Sequence, residues 1–558
     1  MLIDCSKNLH NESAYHLQRE LNMKRIITLI VVATTFFYSC NTSEKKEKKE
    51  EKKISKRDYS ITKNNAYNDL FLDSADVVKY IADNKLPDSI SRRVISFYNT
   101  RNYEYAWFSS DGLSEQAMGF SSLLNFTGDT SSRQKKLEKK MDDLMADTNL
   151  KVSESNKSIL NTELLLTEKL IEYSLTNFEK GYVKRKELER FIPFKKRDAI
   201  QLADSLLNKK HKDDKYFSDI NQSYKLLSDQ LRKYVGIAKS GGWPIIGEIN
   251  KKDFKLKKSS PQVLSMKKML MSTGDISLKD TSDIYDETLE NGIKSFQKRF
   301  GFKPDGKLDD KVIEQMNVPL IDRIKQILIN MNRMRWLPQE PEGRLIEVNI
   351  PAFILHVYNG KNTVFSMPVV VGKDGHNTTL FSDFMTTIVF SPYWNVPPSI
   401  VKKEIVPGMD SDQNYLEEHN MEITGEENGL PVVRQKPGLD NSLGKVKFLF
   451  PNSFNIYLHD TPAKELFNKD IRAYSHGCIR VADAEKMANY LLKDNNKWTP
   501  EKINEAMNSG EEQYVKLKDP VPVFITYYTA WVDQTGQLNF RDDIYGHDKE
   551  VAEKMFLK

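Results

Sequence analysis

The sequence predicts an α+β multidomain chain: a helical N-terminal scaffold, a small three-helix module, and a β-rich C-terminal domain of mixed, sandwich-like sheet interrupted by an insertion. Three observations predict it. Apolar residues recur at three- and four-residue intervals from about Asp69 to Trp243. Short amphipathic segments joined by glycine turns follow, from about Ser259 to Asn317. From Arg344 onward the hydrophobic period changes to two. With 558 residues the chain exceeds what one core organises, so two to four domains are expected.

The N-terminal segment stands apart from any fold. "MKRIITLIVVATTFFYSCN" (Met23 to Asn41) has two basic residues, an apolar run from Ile26 to Tyr38, and then Ser-Cys. The run suits a signal-peptide core and falls short of the roughly 20 residues a spanning helix needs. A small residue directly before a cysteine resembles a lipoprotein cleavage box. That resemblance implies lipidation at Cys40, with residues 1–40 an N-terminal extension and lipoprotein signal peptide and translation starting at Met23. A plain signal peptide or an anchor helix is the competing reading. "NTSEKKEKKEEKKISKR" (Asn41 to Arg57) has no apolar residue before Ile54, so residues 41–65 are expected to be a charged, disordered tether.

Formal net charge is only +5, from 83 basic and 78 acidic side chains. No concentrated basic excess points to nucleic acid. The three cysteines, Cys5, Cys40 and Cys478, allow neither a disulfide framework nor a CxxC metal knuckle.

Residues 66–257 are expected to form the helical scaffold. "ILNTELLLTEKLIEYSL" (Ile159 to Leu175) and "YKLLSDQLRKYVGIA" (Tyr224 to Ala238) carry the helical period, and "SGGWP" (Ser240 to Pro244) ends the second. The aromatics of "FYNTRNYEYAWF" (Phe97 to Phe108), Trp107 included, read as packing residues. Residues 258–318 form a separate unit. Within it, "IKSFQKRFGFKPDGKLDDKVIEQMN" (Ile293 to Asn317) places Phe296-Gln297, then Gly301, then an Asp305-Gly306 turn. That order resembles the three-helix peptidoglycan-binding module; an ordinary helical linker domain is the plainer alternative. Residues 319–343 follow as a connecting helix.

The domain expected at 344–548 begins with "RLIEVNIPAFILHVYNGKNTVFSMPVVVGK" (Arg344 to Lys373), read as strands with hairpin turns at Asn359-Gly360 and Gly372-Lys373. "TTIVFSPYWNVPPSI", "KFLFPNSFNIYLHD" and "PVPVFITYYTAWVD" are further strands. A polar, glycine- and proline-containing stretch at 401–447 is an insertion long enough to fold over one edge of the sheet. Residues 549–558 are a C-terminal tail.

Near the end of this domain, "AYSHGCIRVADAEKMANYLL" (Ala473 to Leu492) passes from a small-residue turn into an amphipathic helix. Cys478 is therefore expected at or just before a helix start, where free N–H groups and the dipole favour a thiolate. Gly477 lets the backbone approach a bound carbonyl. The N–H groups near Gly477 and Cys478 are oxyanion-hole candidates. A nucleophile needs a base, and His459 or His476 could reach the sulfur. His459, arriving on a separate strand, can face it without backbone strain; His476 more naturally braces the loop. Arg480 offers a positive fork suited to a carboxylate. A zinc site from His459, His476 and Cys478 lacks an evident fourth ligand. A buried, inert cysteine fits poorly beside two histidines and a turn. His356 reads as a strand histidine.

His459, fifteen residues, then Ser475-His476-Gly477-Cys478-Ile479-Arg480 is similar to the catalytic motif of the L,D-transpeptidase (YkuD-type) family. "VVVGK", "SPYWNVPPSI" and "DIYGHD" resemble it too, and the helical scaffold, module and insertion resemble its large, lidded Gram-negative subgroup. The resemblance implies Cys478 as acyl-accepting nucleophile and His459 as proton acceptor and donor. Ser475, His476, Gly477 and Arg480 would shape the pocket, and no metal or organic cofactor is needed. Asp460 and Thr379 depart from the family's pattern, which often has a small or hydroxyl residue and a proline there.

The resemblance further implies a carbapenem-sensitive enzyme of cell wall biogenesis and cell shape. It would cut a tetrapeptide stem, release D-alanine and form 3→3 cross-links. Its partners would be peptidoglycan stem peptides and glycan, the membrane through a lipid anchor, and other wall-synthesis proteins. Its place would be the cell envelope, as a lipoprotein facing the periplasm from the outer membrane or exposed at the surface. An L,D-carboxypeptidase or wall-lipoprotein-releasing hydrolase with the same Cys/His pair competes with this reading. So does a non-enzymatic peptidoglycan-anchoring lipoprotein.

Overall fold

A computed structural model describes residues 54–127, 131–147, 150–178, 192–207, 221–249, 254–277, 282–375, 377–452 and 454–557. The signal segment, Cys5, Cys40 and the tether as far as residue 53 lie outside the described residues. Of these residues, 54–60 and 73–103 form one compact unit, and 61–72 with 104–557 form a second.

The first unit is a helix pair, α1 (Ser74–Asp83) and α2 (Asp88–Thr100). The Asp73 carboxylate accepts from Ala75 N–H and caps α1. Val77 and Tyr80 of α1 and Val94, Phe97 and Tyr98 of α2 are buried.

The second unit opens with a short hairpin, β1 (Phe108–Ser109) and β2 (Gly112–Leu113). Helices α3 (Glu115–Phe126), α4 (Ser132–Ala146), α5 (Lys157–Phe178), α6 (Ala199–Leu207) and α7 (Gln222–Lys239) follow. Trp107 is fully buried, stacks on Phe120 at 5.2 Å and donates its indole N–H to Thr167 Oγ1. The two backbone N–H groups of Ala106 and Trp107 end on the buried Glu163 carboxylate. That satisfaction is what lets a carboxylate sit in this core. The aromatics therefore pack, as expected. Helix α7 stops at Gly241 and Gly242, both with positive φ, and Gly242 N–H closes the helix end on Ile237 O.

Helices α8 (Pro261–Thr273), α9 (Glu287–Arg299) and α10 (Asp310–Asn317) form the small module. Glutamates in the first turn of α9 and Lys298 and Arg299 in its last turn complement the helix dipole. Phe296 is fully buried, and Gln297 turns inward. Its amide donates to Asp305 Oδ1 and Lys307 O and accepts the Gly306 N–H, bracing the Asp305-Gly306 turn from three sides. Gly301 has φ +77°, and a Cβ there would stand 2.5 Å from Arg541 Nε. Arg541 donates to Arg299 O, Arg299 donates to Leu538 O, and Phe300 stacks on Phe540. The module is thus seated on the C-terminal hairpin. Gly301→Ala adds left-handed backbone strain of about 1–2 kcal/mol to that contact. Its melting midpoint is expected to fall by roughly 2–8 °C in a thermal scan; an unchanged midpoint would mean the contact does not hold the module.

Helix α11 (Leu320–Met334) joins this module to the sheet domain. Its Arg333 is buried and paired with both Glu115 of α3 and Asp548 near the C-terminus.

The domain core is one mixed sheet. Its strands are β3 (Arg344–Asn349), β4 (Ile354–Asn359), β5 (Asn362–Gly372), β6 (Phe381–Phe390), β10 (Val446–Leu449), β11 (Leu458–His459), β12 (Ala473–Ser475), β13 (Ile479–Val481) and β14 (Gln513–Thr526). Their order is β12-β5-β13-β11-β10-β6-β14-β3-β4, and β4 pairs back onto β5. The two layers of the expected sandwich are therefore a single sheet closed on itself. Ile346, Val348, Val369, Ile388, Phe448 and Ile525 fill its interior with α12 (Ala484–Leu492) and α13 (Pro500–Met507). Each such side chain contributes about 1.5–3 kcal/mol through burial. A two-residue turn at Gly360-Lys361 joins β4 to β5, as Asn359-Gly360 predicts. The other expected hairpin turn, Gly372-Lys373, is absent: β5 ends there, and Gly372 meets Thr378 and Tyr545 instead.

The stretch after β7 (Trp394–Asn395) runs through helical turns at Pro398–Ile400, Val401–Ile405 (a π turn) and Val406–Ser411. It then forms β8 (Met421–Glu427) and β9 (Leu430–Gln435), which with β7 make a separate three-stranded sheet. Val396, Ile400, Val401, Ile405 and Val433 give it a small core of its own. A last hairpin, β15 (Ala530–Val532) and β16 (Leu538–Phe540), precedes α14 (His547–Met555). Among the described residues, no helix is long and apolar enough to cross a membrane.

Candidate active site

Strands β11 and β13 run parallel, with Leu458 opposite Ile479 and His459 opposite Arg480. Leu458, Ile479 and Val481 are fully buried in the core. Alternation along a strand then sends their neighbours to the other face. Tyr457, His459, Cys478 and Arg480 consequently share one face of two adjacent strands.

Cys478 is half-buried, and its sulfur lies 3.5 Å from Asn455 O. Asn455 holds φ +54°, a left-handed turn that brings that carbonyl over the sulfur. Burial pushes the Cys478 thiol up, while the Tyr457 N–H and hydroxyl and the Arg480 charge pull the other way. The expectation of a helix start is corrected here. Cys478 leads into the three-residue strand β13, and α12 begins only at Ala484 behind its own cap, Asp483. Among the described residues no helix begins at Cys478, and burial favours the thiol form.

His459 is 4% exposed, and burial drives its imidazole down to about 3, aided by the Arg480 charge. Its Nδ1 meets the Asp460 carbonyl oxygen, so Nδ1 carries the proton and Nε2 is left as the basic nitrogen. The ring is a neutral base throughout the physiological range.

His476 points elsewhere: its Nε2 lies 3.5 Å from Glu404 Oε1 in the inserted π turn. Ser475 Oγ donates to Cys478 O and accepts the Gly477 N–H at 3.2 Å. Gly477 has φ +113°, a conformation side chains rarely tolerate. With its N–H given to Ser475, Gly477 is not the free oxyanion donor expected of it. Among the described residues the Cys478 N–H has no acceptor. Arg480 is half-buried beside Cys478 and Glu465, and its Nε has no acceptor among the described residues.

The two departures from the family pattern have local partners. Asp460 accepts from Lys445 N–H and Lys464 Nζ and fits because Gly444, at φ +61°, carries no side chain where the carboxylate stands. Thr379 is half-buried, and its neighbour Thr378 is the residue that reaches the Cys478 loop, donating to Gly477 O at 2.8 Å. His356 lies on β4 against Ser366 Oγ, as a strand histidine. Among the described residues no His, Cys, Asp and Glu cluster stands at metal-holding distances.

Sequence reasoning missed Tyr457, Thr378, Glu404 and Tyr545. Tyr457 could have been found, since it lies two residues before His459 in a period-two strand. Tyr545 lies inside "DIYGHD", which resembled the family without suggesting a role.

Residues 343–525 match the family model described as "L,D-transpeptidase catalytic domain" (YkuD). That stretch is similar to the YkuD L,D-transpeptidase family. Residues 92–231 match a "Scaffold domain" and residues 259–316 a "Putative peptidoglycan binding domain", so the L,D-transpeptidase domain follows the two expected helical regions. A protein of Haemophilus influenzae named "Putative L,D-transpeptidase" is 33% identical over 243 residues, 41% of this chain and 49% of that one. This chain thus spans about half the length of that curated relative. An L,D-transpeptidase structure from Stackebrandtia nassauensis aligns with 50% of this chain and 97% of its own, at 13% identity and a TM-score of 0.22. Mycobacterium tuberculosis L,D-transpeptidase 1 aligns with 33% of this chain and 61% of its own, at 14% identity and a TM-score of 0.15.

Proposed function

We propose that this chain is a peptidoglycan L,D-transpeptidase that forms 3→3 cross-links through a Cys478 thioester. The observation that carries the proposal is the parallel β11–β13 register, which puts a thiol and a neutral imidazole on one partly open face. Cys478 Sγ attacks the carbonyl carbon of the third, L-configured stem residue, and the thiol proton passes to His459 Nε2. The tetrahedral adduct collapses with rupture of the C–N bond to D-alanine, whose amine leaves with that proton. A neighbouring stem's side-chain amine then attacks the thioester carbonyl. Its surplus proton returns through His459 to the sulfur as the C–S bond breaks, so no oxidant, metal or cofactor is consumed.

The seated module supports peptidoglycan as the substrate. The Glu404–His476 contact supports transfer over hydrolysis, because it ties the insertion to the nucleophile's loop, where a lid would limit water. Acylation of Cys40 would tie the enzyme to a membrane of the envelope, which fits a cross-linking role at the wall.

The test is incubation of the purified chain with labelled disaccharide-tetrapeptide. Cross-linked dimer with released D-alanine is expected. Tripeptide alone would identify an L,D-carboxypeptidase, and an untouched substrate would favour a non-enzymatic anchor.

A further inference from the structure

We infer that Thr378 is a positioning residue that aims the Cys478 N–H at the reacting carbonyl, an inference that rests on the acyl-transfer reading above. Thr378 is 2% exposed and lies far from Gly477 in sequence. Its hydroxyl has one proton, donated to Gly477 O at 2.8 Å, and it accepts the Gly372 N–H at 3.0 Å. Both ends of the hydroxyl are therefore committed, and its direction is fixed.

Gripping that carbonyl fixes more than one atom. In a planar trans peptide the C=O and the following N–H point in opposite directions. Holding Gly477 O toward Thr378 turns the Cys478 N–H to the other side of the loop. Gly477 itself, at φ +113°, lies in a region where its backbone rotates easily, so the peptide needs an external hold. The Gly477 N–H is already given to Ser475 Oγ. Of the two N–H groups beside the sulfur, the one Thr378 orients is the one without an acceptor among the described residues.

The grip has its own support. Tyr545 Oη donates to Gly372 O at 2.6 Å and accepts the Thr378 N–H. The Tyr545 N–H ends on Tyr527 Oη, which donates to Asp543. A C-terminal segment remote from the nucleophile thereby holds the threonine that holds the loop.

A reaction with an oxyanion can be separated from one without. Acylation of Cys478 by a carbapenem passes through a tetrahedral oxyanion, whereas alkylation by iodoacetamide needs only the sulfur. Both rates are read on the full chain by intact mass. In Thr378→Val, acylation is expected to slow about tenfold or more, with alkylation kept within about twofold. Thr378→Ser, which restores the hydroxyl, is expected to return acylation to near the wild-type rate. Tyr545→Phe keeps the ring and should give the same split, so it decides the matter if Thr378→Val does not fold. Acylation and alkylation falling together, or neither falling, in a folded variant overturns the inference. A wild-type protein that is alkylated but never acylated sinks the acyl-transfer reading itself, and this inference with it.

Discussion

Replacing Cys478 by alanine is expected to end the proposed dimer formation from disaccharide-tetrapeptide, with a loss of about 10⁴-fold or more, as removal of a covalent nucleophile does elsewhere. The expectation rests on geometry. The sulfur is half-buried beside the Asn455 carbonyl, on the face it shares with His459. Alanine keeps the Cβ and should leave β13 and the Gly477 turn in place, so the melting midpoint is expected to hold within the roughly ±0.5 kcal/mol range of a neutral change. Muropeptides from cells carrying the variant should lack the 3→3 dimers expected of the wild-type protein. Persistence of those dimers in purified Cys478→Ala reactions would remove the thioester from the mechanism.

The second large effect concerns His459 and pH. Burial lowers its imidazole to about 3 and raises the thiol, so thiol and neutral base are the resting pair. Acylation should then be level between about pH 5 and pH 8, because neither partner changes protonation in that window. A rising limb near pH 6.5, the ordinary range of histidine, would mean that the imidazole is charged at rest and contradict this arrangement. His459→Gln keeps an N–H donor for Asp460 O but has no basic nitrogen. Its acylation should fall by about 10²- to 10⁴-fold. The residual rate should climb with pH, roughly tenfold per unit, as thiolate replaces base-assisted thiol. A flat profile in that variant would show that another group takes the proton.

The parts of this site that were legible beforehand are those written in local pattern. Period-two apolar residues placed β3, β4 and β5, and the spacing from His459 to Cys478 marked two segments that had to meet. Closure of the sheet through β4 and β5 was not legible, since pairing between strands leaves no mark beyond the alternation both already show. The helix start assigned to Cys478 failed for a nameable reason. The run from Ala473 to Leu492 holds two strands of three residues each, too short for periodicity to register, before Asp483 caps α12. Thr378 and Tyr545 act through backbone groups of distant loops, and a hydroxyl that bonds to a carbonyl requires no particular neighbour in sequence.

Gln297 carries a different lesson. The residue by which the small module is most easily spotted spends every polar atom of its side chain on the module's own turn. Such a hallmark certifies an architecture and not a grip. Evolution can rewrite the outward surfaces of α8, α9 and α10 without disturbing the feature that advertises the module.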